Sequence, residues 1–132
     1  FGVKVTQSLD SKALFKSSKV PPQTPSIITQ PTEAVREGDL ATFRCESTGG
    51  NPSPHFQWLF DNKTKVPEGW YIERPEANAG KSISTLQMHV KSEHNGAYMI
   101  CQIWNRALKE GERLQTHTER LNVRLFLYGI ME

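Results

Sequence analysis

The side chains able to do chemistry are few: two cysteines, Cys45 and Cys101, and four histidines, His55, His89, His94 and His117. A cysteine with histidine and asparagine elsewhere in the chain is the cast of a thiol hydrolase. Here, however, each cysteine ends or sits within a segment of alternating apolar residues, LATFRCES and AYMICQIWN. Both therefore face a core, where a bond to each other suits them better than nucleophilic work. No Cys-x-x-Cys spacing offers a zinc or redox site, and His89 and His94, five apart across a turn, do not have metal-ligand spacing. The Gly-rich phosphate loops and the Gly-x-Ser-x-Gly elbow are also missing from the sequence. The chain is read as a non-enzyme with no cofactor and no metal. What remains is a Cys45–Cys101 bridge, which needs an oxidising compartment, and a carbohydrate acceptor, Asn62-Lys63-Thr64. Asn51-Pro52-Ser53 is not a second acceptor, because its proline blocks transfer.

The scaffold that holds these groups is bounded by composition. A chain of 132 residues, 36% hydrophobic and 23% charged, has enough apolar material for one core and too little length for two ordinary domains. Sixteen Lys and Arg against fourteen Asp and Glu leave a formal +2 without any run of like charge, which argues against nucleic acid or anionic lipid as the partner. The longest apolar stretch, 125–128, is far below the roughly 20 residues that a membrane helix needs. The first residues, FGVKVTQ, lack the pattern of a signal peptide. The chain is then either cytosolic or an interior piece of a secreted or membrane protein, and the paired cysteines favour the second.

Period-two alternation between turn signals recurs, and helical periodicity is hard to find. LATFRCES sets Ala41, Phe43 and Cys45 on one side; HFQWLF sets Phe56, Trp58 and Phe60 together with His55, Gln57 and Leu59 opposite. SISTLQMHV turns Leu86, Met88 and Val90 inward, AYMICQIWN turns Ala97, Met99, Cys101 and Ile103 inward, and ERLNVRL does the same with Leu121, Val123 and Leu125. A short strand is expected over Trp70 to Arg74. About seven short strands with regular turns predict an all-β sandwich of two antiparallel sheets. Cys45 and Cys101 would then bridge the sheets, with Trp58 against the sulfurs and Phe43, Leu86, Met88, Leu121 and Val123 filling the core. The turn-rich run between Cys45 and Trp58 carries the chain from one sheet to the other.

Cys45, Trp58 and Cys101, with Leu86 and Met88 on the preceding strand and His94-Asn95-Gly96 leading into the last cysteine, resemble an immunoglobulin domain of the I or C2 type over about Pro25 to Leu125. More narrowly, the GGNPSP insert and the run Cys101, Asn105, Ala107, Leu108 resemble the extracellular repeats of nephrin-like adhesion receptors, including synapse-specifying invertebrate members. The resemblance implies an immunoglobulin-like sandwich with an inter-sheet disulfide, in the extracellular part of a cell-membrane protein that takes part in cell-cell recognition. Its implied partners are other cell-surface immunoglobulin-type proteins or neighbouring repeats of the same chain. Two positions depart from the pattern: Met99 stands where many such domains carry a corner tyrosine, and His94 stands where an acid usually forms a salt bridge.

Alternation places Tyr98, Ile100 and Trp104 on the outward face of one strand and His55, Gln57 and Leu59 on that of its neighbour. So much apolar surface in one place predicts a partner-binding face; the alternative is that loops or terminal segments cover it. Residues 1–20 read as an N-terminal flank, 21–25 as a proline-rich hinge, 26–125 as the domain and 126–132 as a C-terminal flank with Phe126 and Tyr128 on one side. Two other functional readings fit the same fold: a spacer repeat without a partner of its own, and an intracellular domain of the muscle-filament kind without a disulfide.

Overall fold

The computed structural model describes residues 19–76 and 80–125, with the side chains of 75 and 76 left out. The two flanks, 1–18 and 126–132, lie outside the described residues. Nine strands follow in chain order: β1 Ser26–Thr29, β2 Val35–Arg36, β3 Leu40–Thr48, β4 His55–Phe60, β5 Tyr71–Glu76, β6 Lys81–His89, β7 Met99–Trp104, β8 Leu114–His117 and β9 Val123–Arg124. Single 3-10 turns at Glu68–Trp70 and Ser92–His94 are the helical elements among the described residues.

The strands form the predicted sandwich. One sheet has the order β1-β3-β6-β5 and the other β4-β7-β8, all neighbours antiparallel, while β2 and β9 pair in parallel. The longest ladder runs from Leu40↔His89 to Thr48↔Lys81, and its strict alternation puts Ala41, Phe43, Cys45 and Ser47 inward opposite Met88, Leu86, Ser84 and Ser82. The inner faces close on Phe43, Trp58, Leu86, Met99, Ile103 and Val66, with Met88, Leu121 and Val123 also buried.

Cys45 and Cys101 are bonded across this core, their Cα atoms 6.5 Å apart. A bridge spanning 56 positions removes chain entropy worth about 4 kcal/mol from the unfolded state. Beside it the Trp58 indole packs 6.4 Å from the Phe43 ring, and its N–H donates to Ser84 Oγ at 2.9 Å. Burying an indole requires such a partner for its one polar atom. Ser84, opposite Cys45 in the ladder and fully buried, supplies it.

Some strand expectations need correction. Trp70 closes a 3-10 turn and is exposed, so the strand begins at Tyr71. Ala97 lies outside β7, and Leu125 is exposed just past β9. The β8 strand, LQTH, escapes a reading by hydrophobic alternation because only one of its four residues is apolar.

The segment read as a hinge is docked on the domain. Pro22 and Pro25 are buried, Val20 and Asn51 exchange both backbone hydrogen bonds (2.9 and 2.8 Å), and Gln23 N–H donates to the Thr48 carbonyl at 3.0 Å. Asn105 locks the arrangement: its Nδ2 donates to the carbonyls of Val20 (2.8 Å) and Pro52 (2.9 Å), and its Oδ1 accepts from Ala107 N–H (3.0 Å). Asn105, one residue of the motif run, thus joins the segments of Val20, Pro52 and Ala107 at one end of the sandwich.

Candidate partner-binding face

The outward surface of the β4-β7-β8 sheet is organised in rows, because residues paired across antiparallel strands share a face. His55 lies opposite Trp104; Gln57 opposite Gln102, which lies opposite Gln115; and Leu59 opposite Ile100, which lies opposite His117. The first two rows are open to solvent at His55 and Gln115 and half-buried at Gln57, Gln102 and Trp104.

Arg113, just before β8, ties these rows together. Its guanidinium lies 3.8 Å from the centre of the Trp104 ring, while Nη1 donates to Gln57 Oε1 at 2.6 Å and to Gln102 Oε1 at 3.3 Å. Gln102 Nε2 in turn donates to Gln115 Oε1 at 2.9 Å. His55 flanks the other side of Trp104, with ring centres 5.6 Å apart. A cation held over an indole and restrained by two amides has lost most of its rotamer freedom before any partner arrives. Arg113 was not among the residues singled out from sequence, since it precedes the strand whose alternation is weakest.

The third row corrects the expectation. Ile100 is 2% exposed and Leu59 7% exposed, so neither is available as a contact. Alternation does point them outward, but the strand pairs flank them with other side chains: Lys65 bridges to Leu59 on one side and His117 faces Ile100 on the other. Tyr98, two residues before Ile100, lies 5.0 Å from the His117 ring, with the Arg120 guanidinium 5.2 Å from its own centre. His117 is thus a neighbour of both Ile100 and Tyr98, and Tyr98 itself is half-buried.

The two departures from the usual pattern have local replacements. With Met99 at the corner position, Thr118 ties the strands: Met99 N–H donates to Thr118 Oγ1 (2.9 Å) and Thr118 N–H to the Met99 carbonyl (2.9 Å). His94, buried, accepts from Lys91 N–H through Nδ1 at 2.9 Å and stacks on Phe60 at 5.8 Å. Desolvation on burial holds its imidazole below the ordinary value of 6.5, with Lys91 adding to the effect and Glu93 opposing it. Asn95 Oδ1 accepts from Val123 N–H at 2.9 Å and completes the corner. The sequon residue Asn62 is exposed at the tip between β4 and the short segment returning to Lys65. No group of three metal-ligating side chains occurs among the described residues.

With this geometry in place, the comparisons with known proteins fall on one side. A family model of the immunoglobulin domain matches residues 24–105. Rat nephrin is 35% identical over 97 residues, 71% of this chain, and human cell adhesion molecule 3 is 31% identical over 93 residues, 70% of it. The chain spans only 7% of the length of that nephrin and 23% of that adhesion molecule. Among solved structures, the full ectodomain of mouse nectin-like molecule 4 superposes with a TM-score of 0.66 at 23% identity, over 81% of this chain and 35% of that one, a likeness of fold.

Proposed function

The chain belongs to the immunoglobulin-domain family, and on that premise we propose that it is a non-catalytic repeat in the extracellular part of a cell-surface adhesion receptor, recognising another immunoglobulin-type surface protein. Similarity to nephrin and cell adhesion molecule 3 supports an adhesion-type repeat. The Cys45–Cys101 disulfide supports an oxidising, extracellular location over a muscle-filament role. The observation that carries the recognition reading is the pinned Arg113–Trp104 pair with its glutamine row on the β4-β7-β8 sheet. Tryptophan and arginine, pre-ordered and partly exposed, are the side chains that anchor protein interfaces. A synaptic setting, as in the invertebrate receptors the sequence resembles, is the cellular context this reading favours.

The test uses the complete receptor displayed on cells, with Trp104→Ser and Arg113→Glu combined. Truncating a hot spot costs at least about 2 kcal/mol, so partner binding and cell aggregation are expected to fall by about thirtyfold or more while surface display is unchanged. Unchanged aggregation at equal display defeats the contact reading. That outcome would support a second one, a rigid spacer repeat contacting only its neighbours, which the locked entry of residues 20–23 through Asn105 favours.

A further inference from the structure

The β4 strand ends in a turn with an unusual combination of side chains. Lys63 N–H donates to the Phe60 carbonyl at 2.8 Å, Phe60 N–H donates to the Thr64 carbonyl at 2.8 Å, and Lys63 adopts φ 72°. This is a three-residue loop with a left-handed final residue, the bulged hairpin connection. Within it Asn62 Oδ1 accepts the Thr64 N–H at 3.0 Å. The amide is thereby oriented by its oxygen, while Nδ2 makes no hydrogen bond among the described residues. Asn62, Lys63 and Thr64 are all exposed.

The surroundings are as informative as the turn. Phe60, Asn62 and Thr64 line one open concavity together with His94, Ala97 and Glu93. Phe60 is only half-buried; its ring stacks on His94 at 5.8 Å and meets Trp70 edge-on at 6.4 Å. Trp70 is 38% exposed. Aromatic rings left partly open to water beside a polar acceptor suit a ligand with one apolar and one hydroxylated face. A pyranose ring, whose axial C–H bonds form such an apolar face, has that character.

We propose that Asn62 carries an N-linked glycan whose first N-acetylglucosamine packs its apolar face into the concavity lined by Phe60, His94 and Ala97. The inference rests on the extracellular reading, because the modification occurs in the secretory pathway. Asn62 Nδ2 forms the bond to the anomeric carbon of a diphospholipid-linked oligosaccharide, the bond from that carbon to the diphosphate oxygen breaks, Nδ2 loses a proton, and the diphospholipid leaves. Position decides what the glycan leaves free. The β4 strand runs from His55 to Phe60, roughly 17 Å at the rise of an extended chain, and Asn62 lies in the turn beyond its far end. The sugar therefore sits at the end of the sheet away from Trp104 and Arg113.

The experiment directs the chain through the secretory pathway of animal cells and measures intact mass before and after peptide N-glycosidase. A glycosidase-sensitive excess is expected for the wild type and Thr64→Ser and none for Asn62→Gln or Thr64→Ala. A secreted, disulfide-bonded chain without that excess overturns the proposal and leaves the receptor reading standing; a chain recovered only with free thiols overturns both. For the packing step, removal of the glycan is expected to lower Tm by about 4 °C in the wild type, the scale of one lost packing contact in a domain of this size. In Phe60→Leu the drop should be less than half as large, and equal drops overturn the packing. If Phe60→Leu does not fold, the N-acetyl methyl resonance of the first sugar in the wild type decides: displacement upfield by the aromatic rings supports the proposal, and the position of a free sugar overturns it.

Discussion

The outward faces of the two sheets obey the same alternation and carry different chemistry. On the β1-β3-β6-β5 sheet the outward residues of the central strands include Thr42, Arg44, Glu46, Thr85 and Gln87, joined by a Gln87–Thr42 contact of 3.4 Å and a partly exposed Lys81–Glu46 ion pair of 3.2 Å. Its exposed apolar residues, Ile28, Leu40 and Ile72, fall on three different strands and form no common patch. On the β4-β7-β8 sheet, by contrast, aromatic, guanidinium and amide groups are bonded to one another in rows, and two aliphatic side chains are sealed beneath their neighbours. The difference teaches that facing outward is a property of the strand, whereas being exposed is a property of what stands beside it.

The largest effect that separates the faces comes from two isoleucines, both outward by alternation. Ile100→Ala removes a side chain that is 2% exposed and should cost about 2–5 kcal/mol, whereas Ile72→Ala, at a position 54% exposed, should stay within about 0.5 kcal/mol. Urea unfolding of the two variants reads the contrast directly; equal losses would mean that Ile100 is not sealed from water. A smaller effect lies at the corner between the sheets. Because burial lowers the pKa of His94, the unfolded chain binds more protons once the pH falls below the ordinary imidazole value of 6.5. The stability that neutral His94 contributes is present above that value and is lost as the pH falls toward the folded-state pKa. Protonation also removes the acceptor that Lys91 N–H uses. Wild-type Tm should therefore drop by a few degrees more than that of His94→Gln between about pH 7.5 and about pH 5.5. A parallel decline in the two proteins would assign the pH response to other groups. The smallest effect belongs to the solvated sheet: Lys81→Ala should cost at most about 1 kcal/mol, and less at high salt, because the Lys81–Glu46 pair is partly open to water. Thermal unfolding at two salt concentrations measures it.

Much of this was legible in the sequence where a single physical rule governs. Alternation over β3, β6 and β7 gave the inward residues, and the spacing of Cys45, Trp58 and Cys101 gave the bridge beneath an indole. What escaped depended on neighbours distant in sequence. Ser84 reads as an ordinary strand serine until it is seen accepting the Trp58 N–H. Leu59 and Ile100 read as exposed because nothing local reveals Lys65 and His117 paired beside them. Arg113 immediately precedes β8, whose register is set only by its pairing with β7. The prolines of 21–25 suggested a hinge, and the segment is docked through residues distant in the chain: Gln23 N–H bonds the Thr48 carbonyl, while Asn51 and Asn105 hold the adjoining Val20.

The parallel pairing of β2 with β9 gives the domain a mechanical direction. The chain enters β2 and leaves β9 at opposite ends of that pair, so a pull applied to the pair itself, beyond the separate β1-β3 pairing, slides the two strands along each other. The bonds from Val35 N–H to the Asn122 carbonyl and from Glu37 N–H to the Arg124 carbonyl, each 2.9 Å, then bear the load together in shear. An antiparallel pair pulled from one end would instead unzip bond by bond. Under a pull along their common direction, the two strands of this pair are set to resist jointly.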